Sequence, residues 1–286
     1  MRYLKFVKVE HTLFSLPIVF SGAFLAKHVY GESVSFSFSL IFWIILAVLG
    51  ARSFGFAVNR IIDREIDAKN PRTKNREIPS GQISVSAALV FALISAVLFL
   101  FAAAQIDPLC FMLAPIPLGL FILYPFLKRW TLLAHLGLGI AWGTAPLGGW
   151  IAVRPQIVSL IELQPILILT LFSIFWVAGF DILYALLDEE FDRENGHYSM
   201  PALLGKRDAL RMSELFHLVA FLALGTLVQA YFGTPISFLL LASIGVLLIL
   251  SHWKILVNEL TPQVIDFAFF KVNAAVGFLV FLIVLL

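Results

Sequence analysis

Nine apolar segments, each close to the length of a bilayer-spanning helix, dominate this sequence of 286 residues. A helix needs about 20 mostly apolar residues to cross the hydrocarbon core of a membrane. The pattern therefore predicts an all-α membrane protein with about nine transmembrane helices in one bundle, and a single domain over residues 1–286. The predicted spans are residues 12–29, 37–58, 84–105, 107–127, 131–151, 164–187, 211–231, 235–253 and 264–286.

The composition agrees with a chain that is covered by lipid. Apolar residues make up 60% of the sequence and charged residues only 13%, whereas about a quarter of the residues of a soluble domain are charged. A soluble core of this size could not bury the 28 Phe side chains together with the other apolar residues. The net charge of +2 argues against nucleic acid as a partner, and the single Cys110 excludes an intrachain disulfide.

Lys and Arg are distributed unevenly between the two sides of the predicted membrane. If the nine segments alternate in direction, sixteen of the 20 basic residues fall on the side of the N-terminus. Lys27 and Arg154 fall on the other side, and Arg52 and Lys271 fall within segments. Because cytoplasmic loops carry the excess of Lys and Arg, we expect a cytoplasmic N-terminus in a bacterial inner membrane or an archaeal cell membrane.

Two of the cytoplasmic loops begin with acids and continue with bases. The first reads NRIIDREIDAKNPRTKNREIPSG and holds ten charged residues, and the second begins DILYALLDEEFDREN. Asp63 and Asp67 are four residues apart, as are Asp188 and Asp192, and the two pairs are offset by 125 residues. This offset predicts a weak internal repeat, of the kind found in many membrane folds.

The spacing of the acids predicts two polar stripes, because residues four apart share one face of a helix. Like charges at this spacing repel each other, which favours a bound cation between them. Carboxylate and amide oxygens suit Mg²⁺, which uses one or two protein carboxylates together with substrate phosphates. One stripe holds Asn59, Asp63 and Asp67, and the other holds Asp181, Tyr184, Asp188 and Asp192.

Basic residues on the same side could supply the other half of a phosphate site. Bases opposite an acid-bound cation would neutralise the charge of a diphosphate leaving group. A charged loop can also be only a solvated connection, but Asp181 lies inside an apolar segment, where a carboxylate is costly. Together with the two acid pairs, this favours a functional site. The bases concerned are Arg72, Lys74, Arg76, Lys128 and Arg129.

These motifs resemble the signatures of the UbiA superfamily of intramembrane aromatic prenyltransferases. NRIIDREIDAKNPRTKNR is similar to the first signature, which has an Asn and two Asp at four-residue spacing before a basic loop. DILYALLDEEFD is similar to the second signature, and YPFLKRWT over residues 124–131 resembles a third family stretch. The likeness covers nearly the whole chain. Arg60 departs from it, because many members have Asp at this position.

The resemblance implies Mg²⁺-dependent transfer of a polyprenyl group from its diphosphate to the ring of an aromatic acid. The implied metal ligands are Asn59, Asp63, Asp67, Asp188 and Asp192. The four Asp among them are also expected to be catalytic, together with Lys128 at the diphosphate and Tyr124, whose ring would stabilise an allylic carbocation. The expected substrate-binding residues are Arg72, Arg76, Asp181 and Tyr184.

The sequence leaves the acceptor open. The second loop resembles the branch of the family that acts on 4-hydroxybenzoate and related aromatic acids in ubiquinone and menaquinone routes, which implies 4-hydroxybenzoate as the acceptor. 1,4-Dihydroxy-6-naphthoate for menaquinone is the alternative. No cation for the acceptor's carboxylate can be assigned from the sequence. An ion-coupled transporter would also explain intramembrane acids and a repeat, but it predicts charge near mid-membrane, whereas most acids here lie at one mouth. An activity that only releases diphosphate has no separate nucleophile signal.

Overall fold

The computed structural model describes residues 2–7, 12–156 and 159–286. Within these residues the chain forms helices and no strands. The first seven helices are α1 Arg2–Phe6, α2 Thr12–Tyr30, α3 Phe38–Ile62, α4 Arg64–Lys69, α5 Val85–Ile106, α6 Pro108–Leu113 and α7 Pro115–Leu127. The others are α8 Ala134–Val153, α9 Gln164–Ala185, α10 Glu189–Glu194, α11 Met200–Leu227, α12 Pro235–Val257, α13 Pro262–Asp266 and α14 Val272–Leu285.

Eight helical stretches in the described part of the chain are long and apolar enough to cross a membrane. They correspond to the second to ninth predicted segments, with α6 and α7 forming one stretch and α13 and α14 another. The protein is therefore a multi-pass membrane protein. Helix α2 coincides with the first predicted segment but is not one of the eight, so the count of nine and the orientation stay predictions. Lys8, which contributes to the charge asymmetry, lies outside the described residues.

The core and the outer surface of the bundle are both apolar. Helix α9 packs against α8 and α11, α8 also packs against α2, and α3 packs against α5. Trp150 of α8, Trp176 of α9 and Leu224 of α11 are almost fully buried in the main core. On the outside, Leu93 and Ile249 expose 65% and 69% of their surface. Such an exposed apolar surface is what a bilayer would cover.

Helices α2 and α8 approach each other closely because of two glycines. A Cβ atom on Gly149 would lie 1.9 Å from the carbonyl oxygen of Val19, and one on Gly22 would lie 1.9 Å from that of Pro146. Small residues allow this backbone contact, which is a common mode of helix packing in membranes. The contact fixes α8, which carries several residues of the cavity described below.

Helix α11 begins earlier than predicted. The sequence places its segment at residues 211–231, whereas the helix starts at Met200. The side chain of Ser199 accepts a hydrogen bond from the backbone N–H of Ala202 and thereby caps the helix. The charged residues from Lys206 to Arg211 separate this start from the apolar stretch and conceal it from a hydropathy argument. Gly205, with φ of 78°, interrupts the regular helix close to this end.

Each of the two acid-bearing loops contains a short helix after the end of a long one. Helix α3 ends at Ile62 and is followed by the six-residue helix α4. Helix α9 ends at Ala185 and is followed by a short 3₁₀ turn and the six-residue helix α10. The two short helices are offset by 125 residues, as the acid pairs are. The weak internal repeat is therefore present in the secondary structure.

Candidate active site

A cavity of about 560 Å³ lies among α3, α7, α8 and α9. Its polar end is formed by the two acid-bearing loops, and much of the remaining wall is apolar, including Val48, Phe99, Leu113 and Ile151. The structure thus brings both predicted stripes to one cavity. The predicted site residues all line it, namely Asn59, Asp63, Asp67, Arg72, Arg76, Tyr124, Lys128, Asp181, Tyr184, Asp188 and Asp192.

The first stripe, Asn59, Asp63 and Asp67, stays on one face although the helix is interrupted between α3 and α4. Helix α3 ends at Ile62, but the backbone N–H of Asp63 donates to the carbonyl of Asn59 at 2.9 Å, and that of Asp67 donates to the carbonyl of Asp63 at 2.8 Å. These bonds keep the three side chains on one face. The side-chain amide of Asn59 also donates to Oδ2 of Asp63 at 3.1 Å. Both carboxylates are buried, with exposures of 3% for Asp63 and 5% for Asp67.

Asp63 is paired with two bases from the end of α7. Nζ of Lys128 lies 2.5 Å from Oδ2, and Nη2 of Arg129 lies 3.8 Å from Oδ1. Burial raises the pKa of Asp63 above its ordinary value, and the charge and hydrogen bond of Lys128 oppose this rise. Within the described residues, the buried Oδ1 accepts no hydrogen bond. Such an orphaned carboxylate oxygen is a ready ligand position for a cation.

The loop after α4 folds back so that its bases meet the first stripe. Nη1 of Arg76 donates to both oxygens of Asp67, at 2.8 and 2.9 Å. Arg60, the departure from the family pattern, is buried and pairs with Glu77 at 3.4 Å. Lys74 is exposed and does not line the cavity, contrary to its grouping with Arg76 in the sequence.

Arg72 joins the first loop to the second. Its Nε donates to Oδ1 of Asp188 at 2.8 Å, its Nη2 contacts Oδ2, and its Nη1 donates to the hydroxyl of Tyr184 at 2.8 Å. Burial disfavours the charge of Arg72, but Asp188 and Tyr184 outweigh it, so the pKa of Arg72 is raised. Asn70, which the sequence did not single out, adds a hydrogen bond of 2.8 Å to Oδ1 of Asp188.

The sequence predicted that the second stripe runs along one helix, but the structure divides it among three elements. Asp181 and Tyr184 belong to α9, Asp188 ends the 3₁₀ turn, and Asp192 lies in α10. The chain passes through this tighter turn, and all four side chains still line the cavity. Asp192 lies 3.3 Å from Nδ1 of His197, a second residue that the sequence did not indicate.

A buried arginine lies deeper in the cavity, seven residues before Asn59 on α3. Arg52 is 9% exposed and donates a hydrogen bond to Oγ of Ser15. Its guanidinium carbon lies 4.9 Å from the ring centroid of Phe56 and 5.7 Å from that of Trp142. The sequence places Arg52 within a predicted span. The signal was available, because an intramembrane charge marks a functional site by default.

The deeper part of the cavity also holds an Asp–His pair. Nδ1 of His135 on α8 lies 2.7 Å from Oδ2 of Asp181 on α9. His135 was missed because its relation to Asp181 depends on the packing of α8 against α9, which no local sequence spacing reveals.

The donor set of the two loops fits Mg²⁺. The available ligands are carboxylate and amide oxygens, which this cation prefers. In the described ranges, no group of three or more His, Cys, Asp and Glu could hold a metal ion by itself. A Mg²⁺ ion that is also bound by phosphate oxygens needs only one or two protein carboxylates. The two loops therefore suit a Mg²⁺–diphosphate complex better than a free ion, with Oδ1 of Asp63 as one open ligand position.

The model of the UbiA prenyltransferase family matches residues 15–282. A 4-hydroxybenzoate octaprenyltransferase from Vibrio atlanticus is 33% identical over 190 residues, which are 66% of this chain and 65% of that relative. One from Haemophilus ducreyi is 28% identical over 292 residues, covering 100% and 98% of the two chains. The solved apo structure of a UbiA homolog from Aeropyrum pernix K1 superposes with a TM-score of 0.85 at 31% identity, covering 96% of this chain and 97% of that one.

Proposed function

The chain belongs to the UbiA prenyltransferase family, and we propose that it transfers a polyprenyl group from polyprenyl diphosphate to the ring of 4-hydroxybenzoate. Family membership makes it a prenyltransferase, which replaces the transporter alternative. The acceptor is proposed from the relatives named 4-hydroxybenzoate octaprenyltransferase. The proposed role is in quinone biosynthesis, with residues 1–286 acting as one transmembrane domain whose active site faces the cytoplasm.

The observation that carries this proposal is that two acid pairs and three bases converge at the polar end of one mostly apolar cavity. Lys128, Arg76 and Arg72 contact Asp63, Asp67 and Asp188 respectively. A diphosphate with its Mg²⁺ presents the same combination of charges, with anionic oxygens for the bases and cations for the acids. The apolar wall behind them suits an isoprenoid tail.

In the proposed complex, the bases exchange their carboxylate partners for phosphate oxygens. Arg72, Arg76 and Lys128 would bind the diphosphate, and bidentate contacts of Arg with phosphate are especially favourable. The residues that would hold Mg²⁺ are Asn59, Asp63, Asp67, Asp188 and Asp192. When bound, Mg²⁺ would neutralise the negative charge that develops on the leaving diphosphate.

Departure of the diphosphate leaves an allylic carbocation, which the protein must stabilise and shield. Tyr124 lines the cavity on α7, one helical turn before Lys128. A cation over an aromatic face is stabilised by the ring quadrupole. We assign this role to Tyr124. Tyr184 instead supports Arg72, since its hydroxyl accepts a hydrogen bond from that guanidinium.

Arg52 is the proposed partner of the acceptor's carboxylate. It brings a positive charge into a part of the cavity that also contains Phe56 and Trp142. A benzoate offers a carboxylate for the guanidinium and a flat ring for the aromatic side chains. 1,4-Dihydroxy-6-naphthoate has the same two features, so the choice between the acceptors needs a direct assay.

The test uses the purified full chain in detergent with Mg²⁺ and geranyl diphosphate. 4-Hydroxybenzoate and 1,4-dihydroxy-6-naphthoate are supplied in separate tubes, and the products are identified by mass spectrometry. We expect prenylated 4-hydroxybenzoate, its loss in EDTA, and its return with excess Mg²⁺. Product only from the naphthoate would replace the proposed acceptor, and turnover that resists chelation would contradict the metal site.

A further inference from the structure

Asp181 differs from Asp63, Asp67 and Asp188 in its position and in its partner. It lies within α9, four residues before the end of that helix at Ala185, whereas Asp188 and Asp192 lie beyond that end, so Asp181 lies deeper in the cavity. Asp63, Asp67 and Asp188 each contact Lys or Arg. Within the described ranges, the ion-pair partner of Asp181 is His135. The side chain of His135 is 5% exposed, whereas that of Asp181 keeps 25% of its surface open.

The hydrogen bonds of His135 define its tautomer. The backbone N–H of Met200 donates to Nε2 of His135 at 3.3 Å. Nε2 is therefore an acceptor, and the proton of a neutral ring is on Nδ1, which donates to Oδ2 of Asp181. His135 is fixed between a backbone amide and the carboxylate, and it orients Asp181 without neutralising it as Lys or Arg would. Orientation of a carboxylate by a buried partner is a usual feature of preorganised sites.

We propose that Asp181 accepts the proton that the aromatic ring loses during prenyl transfer, and that His135 is its positioning residue. This inference rests on the proposed function. An aromatic substitution must release a proton from the carbon that is attacked, and a carboxylate inside the cavity is suited to receive it. The acids of the loops are occupied by bases in the structure and by Mg²⁺ in the proposed complex, so Asp181 is the carboxylate left for proton transfer.

The step balances without another reactant. The bond between the allylic carbon and the diphosphate oxygen breaks, and its electron pair leaves with the diphosphate. A π-electron pair of the ring then forms the new carbon–carbon bond, which leaves a positively charged ring. The proton on the attacked carbon passes to Oδ1 of Asp181, and the electrons of the broken carbon–hydrogen bond restore the aromatic ring. The open cavity returns the proton to solvent.

The proposal predicts a specific kinetic signature for Asp181→Asn, which keeps the shape of the side chain but not its basicity. General bases typically contribute 10²- to 10⁴-fold, so we expect product formation to fall by about 10²-fold or more. Loss of the proton should then limit the rate. 4-Hydroxybenzoate deuterated at both ring positions next to the hydroxyl-bearing carbon should react more slowly than the unlabelled compound, with a larger isotope effect than in the wild-type enzyme.

The matched control is Asp192→Asn, which alters the other Asp–His pair of the site. Asp192 is a proposed metal ligand, so its variant should lose Mg²⁺-dependent binding of geranyl diphosphate. Asp181→Asn should retain that binding within about twofold, measured by calorimetry. His135→Gln can keep both hydrogen bonds, with its amide N–H to Asp181 and its oxygen to Met200, and should retain most of the activity. His135→Leu should lose activity and show the raised isotope effect.

Several results would overturn the proposal. One is wild-type product formation by Asp181→Asn, or slow formation with an unchanged isotope effect. Another is that Asp181→Asn loses diphosphate binding as strongly as Asp192→Asn does, which would indicate that Asp181 is a metal ligand. If Asp181→Asn does not fold, the test uses His135→Leu instead. An isotope effect in His135→Leu that is no larger than in the wild type would contradict proton transfer to Asp181. If the wild-type enzyme prenylates neither acceptor, the proposed function fails, and this inference fails with it.

Discussion

Arg52 is the residue whose substitution most directly tests how the acceptor is held. Arg52→Met keeps much of the side-chain volume and removes the charge. Hydrogen bonds to charged groups contribute about 1.5–3 kcal/mol, so the KM for 4-hydroxybenzoate should rise by roughly 10- to 100-fold. The KM for geranyl diphosphate should stay within about twofold, because the proposed diphosphate site is formed by other residues.

Steady-state kinetics with each substrate varied in turn provide this measurement. Lys27→Met is the control. Lys27 lies in the last turn of α2 and pairs with the fully exposed Glu32. If Arg52→Met instead raised both KM values equally, the guanidinium would not be a specific partner of the acceptor.

Asp188 is expected to be essential for turnover but not for membrane insertion. Asp188→Asn removes the charge that both Arg72 and the proposed Mg²⁺ use. We expect kcat to fall by about 10²-fold or more, the size of effect that follows from loss of one electrostatic contact to a transition state. The control is Asp208→Asn, an exposed residue of α11 that pairs with Arg211. Equal rates for the two variants would remove Asp188 from the site.

The grouping of candidate site residues was predictable where the signal is local. Asp63 and Asp67 are one helical turn apart, so their common face follows from the sequence, and the cavity confirms that they lie together. Asn70 and His135 were missed because each meets its Asp partner, Asp188 or Asp181, only through the packing of elements that are distant in the chain. Neither contact has a characteristic spacing.

Among the helices, the contact between α2 and α8 gives a sharp test of packing. A Cβ atom on Gly149 would meet the Val19 carbonyl oxygen at 1.9 Å, whereas one on the adjacent Gly148 has nothing within 4 Å. Gly149→Ala should therefore force the helices apart, at a cost of about 1–3 kcal/mol. Gly148→Ala should have little effect. Thermal unfolding in detergent should show a lower Tm for Gly149→Ala only, and equal values would deny the close approach.

The length of the apolar segments predicted the positions of the helices well, but it predicted the ends of the helices less accurately. The predicted span of residues 84–105 differs by one residue at each end from Val85–Ile106. The start of α11 was misplaced because Ser199 and Pro201 begin the helix before its apolar stretch. Hydropathy reports where lipid covers a helix, and a helix end that lies beyond the apolar stretch gives no such signal.

At the level of the whole molecule, bases and acids of the cavity pair with each other. Lys128, Arg76 and Arg72 each hold one carboxylate. If Mg²⁺ bound alone, it would take the carboxylates and leave the three bases without anionic partners. If a diphosphate bound alone, it would take the bases and leave the carboxylates without cationic partners. Removing the partner of a partly buried carboxylate without replacing it is costly, so the two ligands should bind better together than separately.

This coupling can be measured by calorimetry with geranyl thiolodiphosphate, an unreactive analogue with sulfur at the bridging position. The analogue should raise the affinity for Mg²⁺ by about 5- to 150-fold, the usual range for coupled sites, and Mg²⁺ should raise the affinity for the analogue by the same factor. Independent binding would contradict the exchange of partners. If this coupling holds, the internal ion pairs would compete with either ligand alone, so free Mg²⁺ or inorganic phosphate should occupy the proposed site only weakly before the prenyl donor arrives.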